Sequence, residues 1–282
     1  MEITTAESVG VVGAGAMGLP IIGYLTTAGF KVLCWDLDQG RRNDAGARGA
    51  EAVTSMGEMG ACRALLVFVP TDDDVRAVAD EFRSVATPGA CVVIHSSVRP
   101  ETCREVGEEL APDGIKVVDA ALTGGVRGAE AGEINLLVGG EQADVAELAQ
   151  VFAPWTTHVH HLGPLGNGQV GKTVNNLIHW GQIVSIVEAL SLGQELGIRP
   201  QQMRPALYTG PTDSRTLREM EQMRFTWYEK DIDNAVDMAA SVDRTLIFSP
   251  VVQKLMRGIN VTNVASLLAG DTVVELPNPC TS

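Results

Sequence analysis

Short apolar runs alternate with helical stretches along the first part of the chain, and then the pattern changes. Residues 8–15, SVGVVGAG, form an apolar run that ends in glycines; residues 17–28 follow with a helical pattern that Gly29 stops. Residues 30–36 read as the next strand and 64–69 as another, ended by Pro70; 91–95, 116–121 and 134–138 continue the series. Thr71, followed by Asp72, Asp73 and Asp74, has the composition of a capped helix start. Strands alternating with helices predict an α/β fold with a Rossmann-type, doubly wound and mostly parallel sheet. Ligands of such sheets bind beyond the carboxyl ends of the strands, which is where Val69-Pro70, Ser97 and Thr123-Gly124-Gly125 fall.

From about residue 163 the strand signal is gone. Residues 166–197 read as one helix, about 45 Å long at ~1.5 Å per residue. Between Lys172 and Glu195 its one formally charged residue is Glu188, and a helix apolar nearly all round is expected to be buried on all sides, between domains or subunits. Further helices are expected over residues 201–208, 212–225, 230–243 and 250–257. The division is therefore a dinucleotide-binding domain, 1–162, and an all-helical substrate and dimerisation domain, 163–282. Asp231, Asp233, Asp237 and Asp243 read as a solvated helix face.

The turn after the first strand carries Gly13-Ala-Gly15-Ala-Met-Gly18. Gly13 permits the tight turn, Gly15 lets a pyrophosphate approach the backbone, and Gly18 lets the helix lie close to the strand. Free amides at the helix start suit the phosphates. Asp36 ends the second strand, where a carboxylate accepts ribose hydroxyls and repels a 2′-phosphate, so NAD is expected over NADP. Arg41 and Arg42 follow closely, and NADP is not excluded.

The chain has 282 residues, 45% of them hydrophobic, and a formal net charge of −14, which disfavours nucleic acid and anionic membrane surfaces as partners. Cys34, Cys62, Cys91, Cys103 and Cys280 are scattered and odd in number, as expected of thiols in a reducing compartment. The first residues, MEITTAES, carry acids and no apolar signal core, and no apolar run reaches ~18 residues; a cytoplasmic protein without a membrane span is expected. His158, His160 and His161 alternate along a strand-like run but lack metal-ligand spacing, so no metal site is expected.

On the long helix Lys172 and Asn176 stand four residues apart and share a face. Helix geometry alone leaves open that Lys172 only caps a solvated end. Taken together, GAGAMG, Thr123-Gly124-Gly125 continued by Gly128-Ala129-Glu130-Ala131-Gly132, the 168–176 segment GQVGKTVNN, and Lys230-Asp231 resemble the β-hydroxyacid dehydrogenase family. That family includes 3-hydroxyisobutyrate dehydrogenases and tartronate semialdehyde reductases. The resemblance covers nearly the whole chain. It implies catalysis by Lys172 with Asn176, and substrate binding by Thr123, Gly124, Gly125 and Lys230. For the cofactor it implies Gly13, Gly15, Ala16, Met17, Gly18, Asp36, Val69, Pro70 and Ser97.

The implied reaction interconverts a β-hydroxy acid and its semialdehyde or keto acid, in a homodimer or homotetramer. Departures are Thr123 in place of the usual Ser, Ala121 in place of Pro and Tyr24 in place of Asn, with a segment between Leu207 and Lys230 about ten residues shorter than usual. Imine reductases share the scaffold but typically lack the lysine; a non-catalytic dinucleotide-binding scaffold would have little use for Lys172, Asn176 and Thr123 together.

Overall fold

A computed structural model describes residues 2–279; Cys280 lies outside them. Its strands are β1 (Ser8–Val12), β2 (Lys31–Trp35), β3 (Glu51–Ala52), β4 (Ala64–Val67), β5 (Cys91–Ile94), β6 (Lys116–Thr123), β7 (Ile134–Gly139) and β8 (Thr156–His161). Between them run α1 (Gly18–Thr27), α2 (Gln39–Ala47), α3 (Asp72–Arg83), α4 (Pro100–Leu110), α5 (Gly125–Ala131), α6 (Gln142–Glu147) and α7 (Ala149–Phe152). The sheet order is β3-β2-β1-β4-β5-β6-β7-β8, and every pair is parallel except β6 with β7. The order reverses beside β1, so the glycine turn leaves the sheet at its switch point.

Period-two alternation divides the apolar strand positions between two cores. Val9, Val11, Leu66, Val93 and Val118 face one, with Ile21 and Leu25 of α1; Val12, Leu65, Val67, Val92 and Ile94 face the other, with Phe82 of α3 and Val106 of α4. A sheet covered on both faces needs near-continuous apolar strands, which is what β4 and β5 supply. Thr71 caps α3 as expected: its Oγ1 accepts from Asp74 N at 3.1 Å, and the Asp74 carboxylate accepts from Thr71 N at 3.1 Å. Cys34, Cys62, Cys91 and Cys103 are buried, and burial pushes the thiols of Cys34 and Cys62 up to about 12. All four act as small apolar groups.

The first compact unit ends at Lys172, inside α8 (Asn167–Glu195); the second begins at Thr173. The second holds α9 (Pro200–Leu207), α10 (Arg215–Arg218), α11 (Tyr228–Ala240), α12 (Ser249–Met256) and α13 (Val261–Ala269). Its core joins Trp180, Ile183, Val184, Val187 and Leu190 of α8 to Ile232, Val252, Met256 and Leu267.

Two expectations are corrected here. The helix over 212–225 is broken into α10 and a short 3-10 turn. Ser214 Oγ accepts from Leu217 N, and the Arg204 guanidinium donates to the Leu217 carbonyl and the Glu221 carboxylate, so the carbonyl that would extend the helix is engaged elsewhere. Asp231 is not part of a solvated face: it accepts from Trp180 Nε1 at 3.0 Å. Within one chain α8 keeps an uncovered stripe opposite the core, where Val174 is 52% and Ile178 58% exposed.

His95, just past β5, is 3% exposed. Its ring stacks on Phe68 at 4.6 Å and meets the edges of Phe152 and Trp155. Nδ1 lies 2.7 Å from the Ala120 carbonyl, so Nδ1 carries the proton and donates; Nε2 has no hydrogen-bonding partner. Burial pushes its pKa down to about 4, against the opposing pull of the Ala120 carbonyl. The folded protein thus holds His95 neutral while the unfolded chain takes up a proton near pH 6.5. The contribution is complete above that pH and is lost as pH falls towards 4, at about 1.4 kcal/mol per unit. Urea titrations at about pH 7 and pH 5 are expected to show this loss in the parent, and a smaller one, lacking this contribution, in His95→Asn.

Candidate active site

The site in the first unit is built where strands separate. The β5–β6 ladder ends at Ile94 and Asp119, and beyond it β6 is paired only with β7. Alternate residues of a strand turn their carbonyls the same way, so Ala120 and Leu122 both present theirs to the side that β5 has left. His95 Nδ1 donates to the Ala120 carbonyl, and Lys172 Nζ donates to that of Leu122 at 2.8 Å. Between β4 and β5 the same device recurs: Val69 N, past the end of β4, donates to Ser96 Oγ at 2.8 Å.

Lys172 reaches Leu122 because the first turns of α8 are fixed against β6 and β7. Asp119, 0% exposed, accepts from Gly166 N at 2.6 Å and Gln169 N at 2.8 Å, so a strand carboxylate satisfies amides at the start of the helix. Burial raises its pKa, while the bonds from Gly166 and Gln169 work to lower it. A Cβ on Gly168 would clash with the Leu137 carbonyl and the Asp119 carboxylate, and one on Gly139 with Asp119 and Asn167. Helix and sheet backbones therefore touch through glycine. Gln169 completes the attachment, its Nε2 donating to the Ser96 carbonyl at 2.9 Å and its Oε1 accepting from Val98 N at 3.4 Å.

The loop after β6 begins beside the lysine. Thr123 Oγ1 donates to the Asn135 carbonyl at 3.3 Å and keeps its lone pairs. Gly124 and Gly125 have φ of 113° and 63°, a left-handed path that a side chain would strain. Tyr24, the departure on α1, donates to the Glu130 carbonyl at 2.8 Å, and its ring lies against Gly132. It ties α1 to the far end of α5.

The glycine turn fits a dinucleotide. A Cβ on Gly13 would strike the Phe68 carbonyl and one on Gly18 the Gly13 carbonyl, while one on Gly15 would meet only Arg41 Nη1, at 3.9 Å, among the described residues. The turn is closed inward and open outward at the position a pyrophosphate approaches, and the start of α1 carries no side-chain cap. Asp36, 6% exposed, accepts from Ala14 N at 2.8 Å and Asp38 N at 2.9 Å, one bond on each oxygen. Arg41 Nη1 lies 3.9 Å from it, and Arg42 is held by the carbonyls of Asp36 and Leu37.

The first unit thus brings Lys172 to the Leu122–Thr123 turn, and Asp36 to the glycine turn carrying Gly13, Gly15, Ala16, Met17 and Gly18. Val69, Pro70 and Ser97 follow the ends of β4 and β5. Asn176 and Lys230 belong to the second unit. Asn176 is buried one turn after Lys172 on α8, its Oδ1 accepting from Asn175 Nδ2 at 3.1 Å; Lys230 is exposed in the first turn of α11. Among the described residues no group of three or more His, Cys, Asp or Glu side chains is placed to hold a metal. His158 faces Asn135 Oδ1 and His161 the Gly140 carbonyl.

Sequence reasoning missed Asp119, Gln169, Ser96 and His95. Asp119 had a signal, as the one acid within the apolar run KVVDAAL, and Gln169 had another, three residues before Lys172 on α8.

Comparison with known proteins agrees with this fold. A family profile describing the NAD binding domain of 6-phosphogluconate dehydrogenase matches residues 8–163, more than half of the chain. A second, for the NAD-binding domain of NADP-dependent 3-hydroxyisobutyrate dehydrogenase, matches residues 166–266. The 2-(hydroxymethyl)glutarate dehydrogenase of Eubacterium barkeri is 31% identical over 70% of this chain and 66% of its own. A probable 3-hydroxyisobutyrate dehydrogenase of Mycobacterium tuberculosis is 29% identical over 73% and 70%. The chain thus spans about two thirds of the length of these curated relatives. Among solved structures, the Mycobacterium tuberculosis 3-hydroxyisobutyrate dehydrogenase with L-serine superposes with a TM-score of 0.81 at 22% identity, covering 95% of this chain and 96% of that one, which shows a shared fold. A glycine turn at the switch point of the sheet, a helical second part and both profile matches lead to one conclusion: the chain belongs to the β-hydroxyacid dehydrogenase family of nicotinamide-dependent oxidoreductases.

Proposed function

We propose that the protein interconverts a β-hydroxy acid and its semialdehyde or keto acid, with Lys172 as general acid and base and NAD as the preferred cofactor. The observation that carries this is the Lys172 amine held at the Leu122 carbonyl, beside Thr123 and the glycines that follow it. The relatives' names support the substrate class, since 2-(hydroxymethyl)glutarate and 3-hydroxyisobutyrate are both β-hydroxy carboxylates. Residues 1–162 form the dinucleotide-binding part, and 163–282 serve substrate binding and dimerisation.

A bound nicotinamide supplies the hydride acceptor. Lys172 takes the hydroxyl proton as the carbinol C–H leaves as hydride, and returns a proton to the carbonyl oxygen in reverse. Thr123 and the amides of Gly124 and Gly125 hold the carboxylate, Asn176 orients the hydroxyl or the carboxylate, and Lys230 is assigned to substrate binding. Asp36 retains free lone pairs for ribose hydroxyls, and its charge opposes a 2′-phosphate. The engagement of Arg42 with backbone carbonyls supports NAD, while the nearness of Arg41 to Gly15 is consistent with some tolerance of NADP.

Lys172→Ala is expected to lower turnover by ~10²- to 10⁴-fold while NAD binding stays nearly intact. Lys172→Arg is expected not to restore it, because a guanidinium does not release its proton. Steady-state kinetics with thermal melts check both, and near-normal turnover in Lys172→Arg on a substrate the parent oxidises would overturn the mechanism.

Asp36→Ala is expected to weaken NAD binding and relax discrimination against NADP. Fluorescence titration with each cofactor reads this, and tighter binding of NADP than NAD by the parent sinks the assignment.

The exposed stripe of α8, with Val170, Val174, Ile178 and Leu192, supports a homodimer or homotetramer. Light scattering is expected to give at least twice the chain mass at micromolar concentration; a monomer counts against it. A cytoplasmic location accords with four buried thiols and with the finding that no helix among the described residues is long and apolar enough to cross a membrane.

A further inference from the structure

We infer that His95 is a positioning residue for Lys172, acting through strand β6. This rests on the proposed role of Lys172 in hydroxy acid oxidation. Strand β6 presents carbonyls to the side that β5 has left. Ala120 and Leu122 are successive carbonyls on the same strand edge, past the last β5–β6 pair, Ile94 with Asp119. Nothing in the sheet ladder holds that edge in place on the β5 side. His95 Nδ1 fastens the first carbonyl at 2.7 Å, and the second orients the Lys172 amine at 2.8 Å. A shift of β6 at Ala120 is carried two residues along the strand to the lysine's anchor.

The ring itself cannot swing. It is stacked on Phe68 and bounded by Phe152 and Trp155, all of them uncharged. Phe68 in turn lies under the glycine turn, its carbonyl against Gly13 and its ring against Gly18. One imidazole therefore connects the strand ends that carry the dinucleotide turn to the strand end that carries the lysine's anchor. At 3% exposure it is enclosed by protein, so it acts through β6. A buried apolar side chain fills such a box at lower cost than an imidazole with an unpaired Nε2, so packing alone does not account for a histidine here.

The test separates the hydrogen bond from the packing. His95→Phe keeps a ring of similar shape and removes the donor. His95→Asn places an amide donor at the position of Nδ1 and shrinks the side chain. If His95 positions the lysine, His95→Phe lowers kcat by roughly ten- to a hundredfold, the size expected when a reacting group is displaced by ~1 Å, with KM and NAD affinity changed little. His95→Asn then recovers kcat to within about threefold of the parent, even though it melts lower. A purely structural role gives the reverse: His95→Asn is the worse variant, and kcat of the folded His95→Phe is that of the parent.

Amide hydrogen exchange at Leu122, Thr123 and Gly124 gives a reading that does not depend on turnover. It is expected to quicken about tenfold or more in His95→Phe and to return in His95→Asn. Unchanged exchange and unchanged kcat in His95→Phe overturn the inference. Should the parent oxidise no β-hydroxy acid, the functional reading fails on that result, and the exchange measurement alone decides whether His95 holds β6.

Discussion

The attachment of α8 to the sheet by the buried Asp119 carboxylate is the constraint on which the site depends. An unpaired carboxylate at 0% exposure is costly, and its raised pKa records that cost. The amides of Gly166 and Gln169 meet it, and they need an acceptor as much as the carboxylate needs donors. Neither partner is satisfied without the other, so the bond fixes where α8 begins. Three residues on from Gln169, the lysine is placed by the rise and rotation of the helix. Glycine at 139 and 168 lets the backbones come close enough for the bond to form; any side chain at either position would push helix and sheet apart.

Much of the sheet was legible because its strands are apolar, short and punctuated by glycine and proline. Buried parallel strands announce themselves as continuous runs, and ALLV and CVVI are that. The helical second part was legible less evenly. Residues 212–225 carry a helical pattern, yet Ser214 restarts the chain and Arg204, from another helix, engages a carbonyl the pattern needed; that interaction depends on tertiary placement and leaves no periodic trace. Helix α13 was missed although Asn260 and Asn263 cap each other and Gly270 closes it with φ of 74°. Those signals are local and were available.

The site divides the same way. Lys172 and the glycine turn stand in recognisable motifs. The residues that place them do not, because their roles follow from which strand lies beside which. That Asp119 meets Gly166 across 47 residues, and Gln169 meets Ser96 across 73, is a property of sheet order. The exposed stripe of α8 is a related case. Composition showed an apolar helix, but only the packing of Trp180, Ile183, Val187 and Leu190 into the core shows which apolar side is left outside.

Divergence of strands at the carboxyl edge of a sheet leaves backbone groups without their ladder partners. Buried groups of this kind cost about 1–3 kcal/mol each if left unmet. Here Val69 N, Val98 N and the carbonyls of Ser96, Ala120 and Leu122 are all met by side chains. Ser96, Gln169 and His95, which meet four of the five, are buried and held on more than one side. Lys172 meets the fifth and is only partly buried. An ammonium carries three donors, and the one given to Leu122 sets the direction from which the amine is held. The same edge therefore contains buried groups that fix the strands and one partly buried amine. Proton transfer asks for that division: the acceptor must be free to gain and lose a proton while everything that places it stays still.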